Sequence, residues 1–396
     1  MEQVRLKKGR DKAARNRHPW IFSGAIEHTT GSPEDGDVVA VHDQRGRFVA
    51  YGTLNRQSQI AVRLVSWHED ETVDRAFWQR RIGEAIARRS ALADDPNTTA
   101  YRLIHAESDL LPGLIVDRYG EWLVVQLLTL GVERQKAVIV DALREILAPR
   151  GIYERSDVEV RAQEGLAPTT GTLAGELPPE TLEVLEGGHR FLVDLAGGQK
   201  TGFYLDQREN RARVARLAQG QEMLNAFSYT GAFSVYAAAA GAGPITNLDA
   251  SEDALALARK QMQLNDLERP GDRYDLGDVF EVLRLYRDQG RSFDTIVLDP
   301  PKFAPTRRHV PRASRAYKDI NLLALKLLRP GGTLVTFSCS GGIHAELFQK
   351  IVFGASVDAR RDVQILASLT QGPDHPILLS FPESAYLKGL VCRVLA

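Results

Sequence analysis

The sequence contains little cysteine, no long apolar run and almost no net charge. Two cysteines among 396 residues cannot form a disulfide framework, which indicates a reducing environment and predicts a cytoplasmic protein. No apolar stretch reaches the roughly 18 residues that a membrane-spanning helix needs, and no apolar segment typical of a signal peptide follows the basic amino terminus. The sequence therefore predicts no membrane association. It predicts no metal site either, because metal-ligand spacing is lacking around His105, His309, His344 and His375.

The net charge of −1 conceals two basic clusters. Residues 1–20 contain seven lysines and arginines against two acidic residues, and residues 302–318 contain six and no acidic residue. Two such clusters on a nearly neutral chain favour binding to a polyanion such as RNA or DNA. The alternative is that each cluster is only a solvated loop or helix face.

The pattern of apolar residues divides the chain into three predicted domains of an α/β protein. At roughly 150 residues per domain, the length predicts two or three domains. Residues 1–70 contain short strands separated by turns, which is typical of a small β-barrel, and residues 71–188 mix strands and helices in an α+β domain. In residues 189–396 strands alternate with helices of roughly 10–15 residues, which predicts a doubly wound parallel sheet.

Three local patterns lead to further expectations about structure. The segment Gln163–Leu177 is rich in glycine, proline and threonine and is predicted to be a loop. The spacing of Asp206 and Glu209 is that of a helix capping box, which predicts a helix opening there. The residues Arg329–Gly332 are predicted to form a turn before a strand at Thr333–Ser338.

Polar residues follow five successive strands of the predicted parallel sheet. In an open α/β sheet, ligands bind beyond the carboxyl ends of the strands, where backbone amides of the following helices face outward. The segments at these positions form the candidate site and are, in chain order, Asn225–Gly231, Asp249, Asp278, Asp299–Lys302 and Ser338–Ser340.

The first of these segments favours an adenosine cofactor without a pyrophosphate. It has a single glycine, Gly231, whereas a dinucleotide-binding loop needs several glycines for close backbone approach. Asp249 is positioned to accept hydrogen bonds from both ribose hydroxyls, and Asp278 to receive the adenine amino group. These features indicate S-adenosylmethionine; the alternative for Asp249 alone is a carboxylate that precedes a helix. The predicted cofactor-binding residues are Asn225, Phe227, Ser228, Tyr229, Thr230, Gly231, Asp249, Asp278 and Asp299.

Asp299 and the two prolines after it predict a rigid turn that receives a base. Proline restricts the backbone, so the turn presents the Asp299 carboxylate and nearby carbonyl oxygens to a flat polar ring. Lys302 stands where similar methyltransferase turns carry an aromatic residue, which argues against methylation of an exocyclic amine. An aspartate can instead pair with N3 and N4 of a cytosine and stabilise a protonated ring. The predicted substrate-binding residues are Pro300, Pro301, Lys302 and Phe303.

Cys339 is the candidate nucleophile. C5 of cytosine is too weakly nucleophilic to take a methyl group unaided. A thiolate that adds to C6 turns the ring into an enamine; C5 then takes the methyl group, a base removes the C5 proton, and the thiol leaves. Cys339 lies between serines and before two glycines at a predicted strand end, which suits an accessible thiol. The alternative is a buried apolar thiol, which is the interpretation for Cys392, and the sequence leaves the base open.

The most specific stretches of the chain are Lys8–Arg10, His18–Gly24, Glu107–Asp117, Lys200–Gln207, Asn225–Gly231, Asp299–Phe303 and Ser338–Ser340. Together they resemble the family of 23S ribosomal RNA cytosine-C5 methyltransferases that carry an amino-terminal PUA domain. The resemblance covers nearly the whole chain and implies a PUA domain, a central α+β domain and a Rossmann-like class I methyltransferase domain. It also implies S-adenosylmethionine binding around Asn225–Gly231, Asp249 and Asp278, an active-site acid at Asp299, a nucleophile at Cys339, a target in the large ribosomal subunit and a homodimer.

Two other functions stay open at the level of sequence. A related group of enzymes methylates guanine N7 with a similar Asp-Pro-Pro turn, but N7 is already nucleophilic and needs no cysteine. A ribosome-assembly factor with a degenerate methyltransferase fold would bind RNA without catalysis. Such a protein should have lost Asp249 or Asp299, and both are present.

Overall fold

The computed structural model describes residues 2–198, 201–304 and 306–395. Lys200, which belongs to one of the stretches named above, lies outside the described residues. The chain forms two compact units. The first consists of Met1–Leu185, Val193–Leu205 and Pro373–Ser384, and the second of Glu186–Leu192, Asp206–Gly372 and Ala385–Ala396. The division into three domains stays a prediction.

The first unit begins with a six-stranded sheet. Its elements are β1 (Gln3–Leu6), α1 (Lys12–Arg15), β2 (Trp20–Ile21), β3 (Ile26–Thr30), β4 (Val38–His42), β5 (Phe48–Leu54) and β6 (Val62–Ser66). The strands lie in the order β2-β6-β5-β4-β1-β3, with β1 parallel to β4 and antiparallel to β3. Residues on both faces of β5 and β6 are buried, and Val39, Val41 and Leu64 are among the apolar side chains that form the core.

The same unit continues with helices packed on a five-stranded sheet of order β11-β10-β9-β8-β7. Its elements are α2 (Arg75–Ala87), α3 (Ser90–Ala93), β7 (Ala100–His105), β8 (Leu114–Tyr119), β9 (Trp122–Leu127), α4 (Leu130–Arg134), α5 (Lys136–Leu147), β10 (Gly151–Ser156) and β11 (Thr169–Gly175). The Asp74 carboxylate caps α2 by accepting a hydrogen bond of 2.9 Å from the backbone N–H of Phe77. Phe77, Trp78 and Ile82 form the buried face of this helix.

The prediction that Gln163–Leu177 is a loop is wrong, because β11 lies within it. This strand pairs antiparallel with β10 and forms one edge of the sheet. Its β-branched threonines suit an extended backbone, whereas its glycines suggested a turn. Next along the chain come β12 (Leu182–Glu186) and β13 (His189–Val193), with Gly187 and Gly188 between them, both with positive φ.

The second unit is a seven-stranded sheet with its helices. Its elements are α6 (Arg208–Leu217), β14 (Met223–Ala226), α7 (Ala232–Ala239), β15 (Ile245–Asp249), α8 (Glu252–Leu264), β16 (Arg273–Leu276), α9 (Val279–Asp288), β17 (Phe293–Leu298), α10 (Val310–Leu327), β18 (Leu328–Ser338), α11 (Ala345–Ala359), β19 (Val363–Leu369) and β20 (Lys388–Val394). The strand order is β16-β15-β14-β17-β18-β20-β19.

The first five strands of this sheet are parallel, as the alternation of strands and helices predicts. The predicted doubly wound α/β fold is confirmed. The sheet also contains two antiparallel strands, since β20 pairs with β18 on one side and with β19 on the other. Leu224, Ile296 and Leu334 lie in the core of this unit and are fully buried, which is typical of central parallel strands.

Two local predictions about the second unit are correct only in part: the helix after Asp206 is present as α6, but its capping box is not, and the segment before Thr333 is not a separate turn. Residues Leu205–Gln207 form a 3₁₀ turn that leads into α6, so Gln207 and not Asp206 precedes the helix, and no side chain caps it. The Asp206 carboxylate instead accepts a hydrogen bond of 2.7 Å from the Tyr386 hydroxyl. The residues Arg329–Gly332 belong to β18 and do not precede it; in this part of the strand only Leu328 pairs with Phe293 of β17, and the pairing resumes at Thr333.

Two features are missing from the residues that the structure describes. No helix among them is long and apolar enough to cross a bilayer. Within the same residues, no group of three or more histidine, cysteine, aspartate or glutamate side chains has the arrangement of a metal site.

Candidate active site

The five predicted site segments follow neighbouring strands of the seven-stranded sheet. Because the strands are parallel, their carboxyl ends lie along one edge. The direction of winding reverses between β14 and β17, where open α/β sheets form a ligand-binding crevice. In spatial order the segments are Asp278 after β16, Asp249 at the end of β15, Asn225–Gly231 at β14, Asp299–Lys302 after β17 and Ser338–Ser340 at β18.

The loop between β14 and α7 has an unusual backbone. Phe227, Tyr229 and Gly231 have φ angles of 58°, 47° and 75°, in the left-handed region. For residues with side chains this conformation costs on the order of 1–3 kcal/mol each and is concentrated at functional sites. Gly231 is also required by packing, since a Cβ atom there would lie 2.8 Å from the Cβ of Ala258 on α8. Strain of this kind indicates that the loop between β14 and α7 is part of a functional site.

Asp249 holds this loop in place. One carboxylate oxygen accepts a hydrogen bond of 2.8 Å from the backbone N–H of Tyr229, and the other accepts one of 3.0 Å from the N–H of Ser251. Asp249 is therefore also the carboxylate before a helix that the sequence offered as the alternative. A carboxylate has about four lone-pair sites, so it can still accept hydrogen bonds from ribose hydroxyls.

Buried polar atoms behind the loop test whether the residues fit a bound cofactor. The Ser228 hydroxyl is buried and has no hydrogen-bond partner among the described residues. Unpaired buried hydroxyls are rare, and one beside a strained loop is what a ligand would satisfy. Asn225 donates to the Ser234 hydroxyl at 2.9 Å, and that hydroxyl donates to Asn247 at 2.6 Å, so Asn225 mainly links β14, α7 and β15.

The remaining predicted cofactor residues differ in their exposure. Thr230 is buried in the loop. Asp278 is exposed at the start of α9, where one of its carboxylate oxygens caps the helix by accepting 3.1 Å from the N–H of Glu281. Its second oxygen makes no hydrogen bond among the described residues and can accept one from an amino group. The loop, Asp249 and Asp278 thus fit an adenosine with a short substituent.

The Asp299 carboxylate is fixed by a residue that the sequence did not suggest. Gln207 is buried and its side-chain amide donates a hydrogen bond of 3.0 Å to Asp299. The Gln207 carbonyl oxygen in turn accepts 2.6 Å from Asn210 on α6. Gln207 directly follows Asp206, the residue for which the sequence predicts a capping box. The folding of the chain brings Gln207 to Asp299, at the end of β17.

Phe303 anchors the turn from its other end. Its half-buried ring contacts Phe227, Phe280 and Tyr317, with ring centroids 6.3, 5.9 and 4.8 Å away. Pro300 is buried, whereas Pro301 and Lys302 are exposed. Of the four predicted substrate-binding residues, Pro301 and Lys302 are therefore the most accessible to a large substrate.

The Cys339 thiol lies against the same turn. It is half-buried, and its Sγ is 4.0 Å from the carbonyl oxygen of Pro300. The next residue, Ser340, is held by a hydrogen bond of 3.1 Å from the N–H of Ala304 and one of 3.0 Å with the Tyr317 hydroxyl. Cys392 is different: it is fully buried in β20, and burial raises its pKa to about 12.

Lys388 is a further residue of this site that sequence reasoning missed. It opens β20, opposite Ser338 of β18, and its Nζ donates to the carbonyl oxygens of Ser340 at 2.8 Å and Tyr386 at 2.7 Å. Burial lowers the pKa of Lys388 to about 8; Cys339 acts in the opposite direction, and Lys302 lowers it further. The one sequence signal for Lys388 is a polar residue next to the apolar run Leu390–Leu395, which by itself predicts a strand that starts after Lys388.

Comparison with known proteins decides the family. The profile of the S-adenosylmethionine-dependent methyltransferases matches residues 115–370, which is more than half of the chain, and a PUA-like domain profile matches residues 4–67. The chain belongs to the S-adenosylmethionine-dependent methyltransferase family. S-adenosylmethionine is accordingly its cofactor, as the strand-end residues predicted, and the expected PUA-like domain is confirmed.

Relatives of this methyltransferase extend over its whole length. It is 50% identical to ribosomal RNA large subunit methyltransferase I of Tolumonas auensis and 49% identical to the protein of the same name from Shewanella amazonensis, with 99% of each chain covered in both cases. Among solved structures it resembles a protein described as a methyltransferase and crystallised with SAH. That likeness has a TM-score of 0.88 and 25% identity and covers 100% of both chains.

Proposed function

We propose that this methyltransferase transfers a methyl group from S-adenosylmethionine to C5 of a cytosine in 23S ribosomal RNA, through a covalent adduct of Cys339. The observation that carries the proposal is the 4.0 Å separation between the Cys339 Sγ and the carbonyl oxygen of Pro300, which directly follows Asp299 in the turn after β17. Methylation of guanine N7 would leave this thiol without a role. The names of the relatives from Tolumonas auensis and Shewanella amazonensis support the large ribosomal subunit as the target.

The residues of the site suit each step of the proposed reaction. The Cys339 thiolate forms a bond to C6, and the electron pair of the C5–C6 double bond becomes available at C5. Asp299 accepts hydrogen bonds from the ring at N3 and N4 and stabilises the positive charge there. C5 then takes the electrophilic methyl group that bound S-adenosylmethionine would supply, and the methyl–sulfur bond of the cofactor breaks with its electron pair left on that sulfur. A base then takes the C5 proton, the double bond re-forms, and the sulfur–C6 bond breaks to return the Cys339 thiolate.

A basic surface beside the turn supports a polyanionic substrate. Lys302, Arg308, Arg312 and Arg315 are exposed and are called the cationic cluster here. None of the four forms an ion pair among the described residues. The nearest acid along α10, Asp319, pairs with Arg284 instead. Free cations next to a catalytic turn attract phosphates, so the interpretation as a solvated helix face is less favourable here.

The cationic cluster leads to a prediction about RNA affinity. The double variant Arg312→Gln/Arg315→Gln is expected to bind 23S ribosomal RNA fragments roughly ten- to hundredfold more weakly at 0.1 M salt, because each side chain loses a phosphate contact. The slope of log Kd against log salt should fall by about 1.5–2. Filter binding or fluorescence anisotropy over a salt series measures both quantities.

Lys326 provides the control, because it is exposed near the other end of the same helix α10. Lys326→Gln should keep the wild-type affinity within about twofold and the wild-type salt slope. A wild-type slope in the double variant, or an equal loss in the control, would remove the cationic cluster from the RNA-binding surface.

The target base is tested in cellular RNA. Bisulfite sequencing of 23S ribosomal RNA from cells with and without the gene should reveal one cytosine that resists conversion only when the gene is present. If cleavage specific for N7-methylguanine changes and bisulfite reactivity does not, the methylated atom is guanine N7 and not cytosine C5. No change in either assay would favour the non-catalytic assembly factor, although Asp249 and Asp299 are both retained.

The site of action follows from the proposed substrate. An enzyme that modifies ribosomal RNA is expected in the cytoplasm, as the low cysteine content also predicts. The homodimer stays a prediction.

A further inference from the structure

Lys388 is held in a defined orientation against the segment that carries Cys339, opposite Ser338 in the sheet and bonded to the carbonyl oxygen of Ser340. Two of the three donor positions of its ammonium group are used by the carbonyl oxygens of Ser340, at 2.8 Å, and Tyr386, at 2.7 Å. Both acceptors are backbone atoms, and Ser340 is itself fixed by hydrogen bonds from Ala304 and with Tyr317. One position on the nitrogen is left, which is an N–H in the ammonium form and a lone pair in the amine form.

The charges around Lys388 leave it without a carboxylate partner. Two titratable groups influence the pKa of Lys388 among the described residues: Cys339, from the segment after β18, raises it, and Lys302, from the turn after β17, lowers it. The carbonyl oxygen of Tyr386 accepts a hydrogen bond from Lys388, and the hydroxyl of Tyr386 donates one to the Asp206 carboxylate. The hydroxyl of Tyr317 on α10 is hydrogen-bonded to the hydroxyl of Ser340. A half-buried cation without a carboxylate is costly, and the group that can supply the negative charge is the neighbouring thiol.

We propose that Lys388 holds Cys339 in the thiolate form that attacks the pyrimidine. In the resting pair the Sγ–H bond breaks and an Nζ–H bond forms, so a thiol and an amine become a thiolate and an ammonium. During the reaction the sulfur lone pair forms the bond to C6; when that bond breaks, the thiolate returns next to the same ammonium. The catalytic role of the Lys388–Cys339 pair rests on the proposed attack of Cys339 on cytosine. The formation of the pair does not depend on that reaction.

The direction of the effect follows from the charge. A cation next to a thiol favours the charged form and lowers the thiol pKa, so removing the cation shifts the ionisation of Cys339 to higher pH. Lowering the pKa of Lys388 by burial brings its proton transfer into the range where a thiol also titrates. Lys388 is thus a positioning residue, since it acts through Cys339 and not on the substrate.

The test is the pH dependence of Cys339 alkylation in the intact chain without RNA. Iodoacetamide labelling between pH 5.5 and 10 is followed by mass spectrometry, which separates Cys339 from Cys392. In the wild type the midpoint should lie below about 8.5, the ordinary value of a free cysteine. In Lys388→Gln the midpoint should rise by about one unit or more, and labelling at pH 7 should slow about tenfold. Lys388→Arg, which keeps the charge, should restore the rate to within about threefold.

Arg393 supplies the control, since it is an exposed cation on the same strand β20. Arg393→Gln should leave the midpoint unchanged. If circular dichroism shows that Lys388→Gln is unfolded, the alkylation midpoint of Lys388→Met is compared with that of the wild type instead. A wild-type midpoint at or above 8.5, or equal midpoints with and without the Lys388 charge, would overturn the proposal.

The experiment separates this proposal from the proposed function. Alkylation needs neither RNA nor methyl transfer, so a shifted midpoint supports the pairing even if the Cys339→Ala enzyme still methylates RNA. In that case the covalent cytosine mechanism fails and the Lys388–Cys339 pair stands. If the alkylation midpoint does not shift in Lys388→Gln and the Cys339→Ala enzyme is inactive, the Lys388–Cys339 pair fails and the covalent cytosine mechanism stands.

Discussion

Replacing Cys339 by alanine is expected to abolish methyl transfer while the protein still binds S-adenosylmethionine. The rate of transfer should fall by at least about a thousandfold, because the variant has no atom that can form the bond to C6 and activate C5. The affinity for S-adenosylmethionine should stay within about twofold, since the loop after β14 and Asp249 are unaltered. Transfer of a labelled methyl group to 23S ribosomal RNA and calorimetry of cofactor binding measure the two quantities.

A trapped adduct gives a second readout of the same substitution. RNA that contains 5-azacytosine or 5-fluorocytosine should form a covalent complex with the wild type that survives denaturing electrophoresis, and Cys339→Ala should form none. The matched control is Cys392→Ala, because this second cysteine is fully buried, and burial holds its pKa far above neutrality. The control should keep its activity and its adduct. Activity near the wild-type level in Cys339→Ala would exclude covalent catalysis.

The sequence predicts the placement of the candidate site segments in the sheet where the fold depends on local pattern. Strand Ile245–Asp249 and helix Glu252–Leu264 have the bounds that apolar spacing predicts. Ser251 explains the start of the helix, since its hydroxyl accepts 3.2 Å from the N–H of Ala254. Once strands and helices alternate, the parallel pairing follows, and the ends of successive strands meet at one edge. Five separate segments could therefore be assigned to one site.

The residues that were missed reach the site through contacts between distant parts of the chain. Lys388 reaches Ser340 because β20 inserts antiparallel between β18 and β19. Gln207 reaches Asp299 across 92 positions of the sequence. Apolar periodicity gives the type of an element but not its partner, so neither contact has a local signal.

The wrong predictions have a related cause. The capping box at Asp206 matched a local pattern, but the Tyr386 hydroxyl takes that carboxylate, and the helix begins two residues later, at Arg208. The strand Thr169–Gly175 was hidden by its glycines, which an edge strand tolerates when its neighbour supplies the hydrogen bonds. In both cases a tertiary contact outweighs the local preference of the chain.

Removing the Asp249 carboxylate is expected to have a large effect on the cofactor. Asp249→Ala should weaken S-adenosylmethionine binding by about a hundredfold, because hydrogen bonds to a charged group contribute roughly 1.5–3 kcal/mol and the variant would lose the ones that we propose Asp249 accepts from the cofactor hydroxyls. It also loses the acceptor that holds Tyr229 at its positive φ. The loop would then pay part of its ordering cost when the cofactor binds, which adds to the loss.

Asp253 allows the loss of charge to be separated from the loss of these contacts. It is exposed in the first turn of α8, so Asp253→Asn removes one negative charge near the same helix terminus without touching the loop. Calorimetry should give a wild-type Kd for this control within about twofold. Asp249→Asn should lie between the control and Asp249→Ala, because the amide keeps one oxygen as an acceptor. A Kd within threefold of wild type in folded Asp249→Ala would mean that Asp249 supports the loop but does not bind the cofactor.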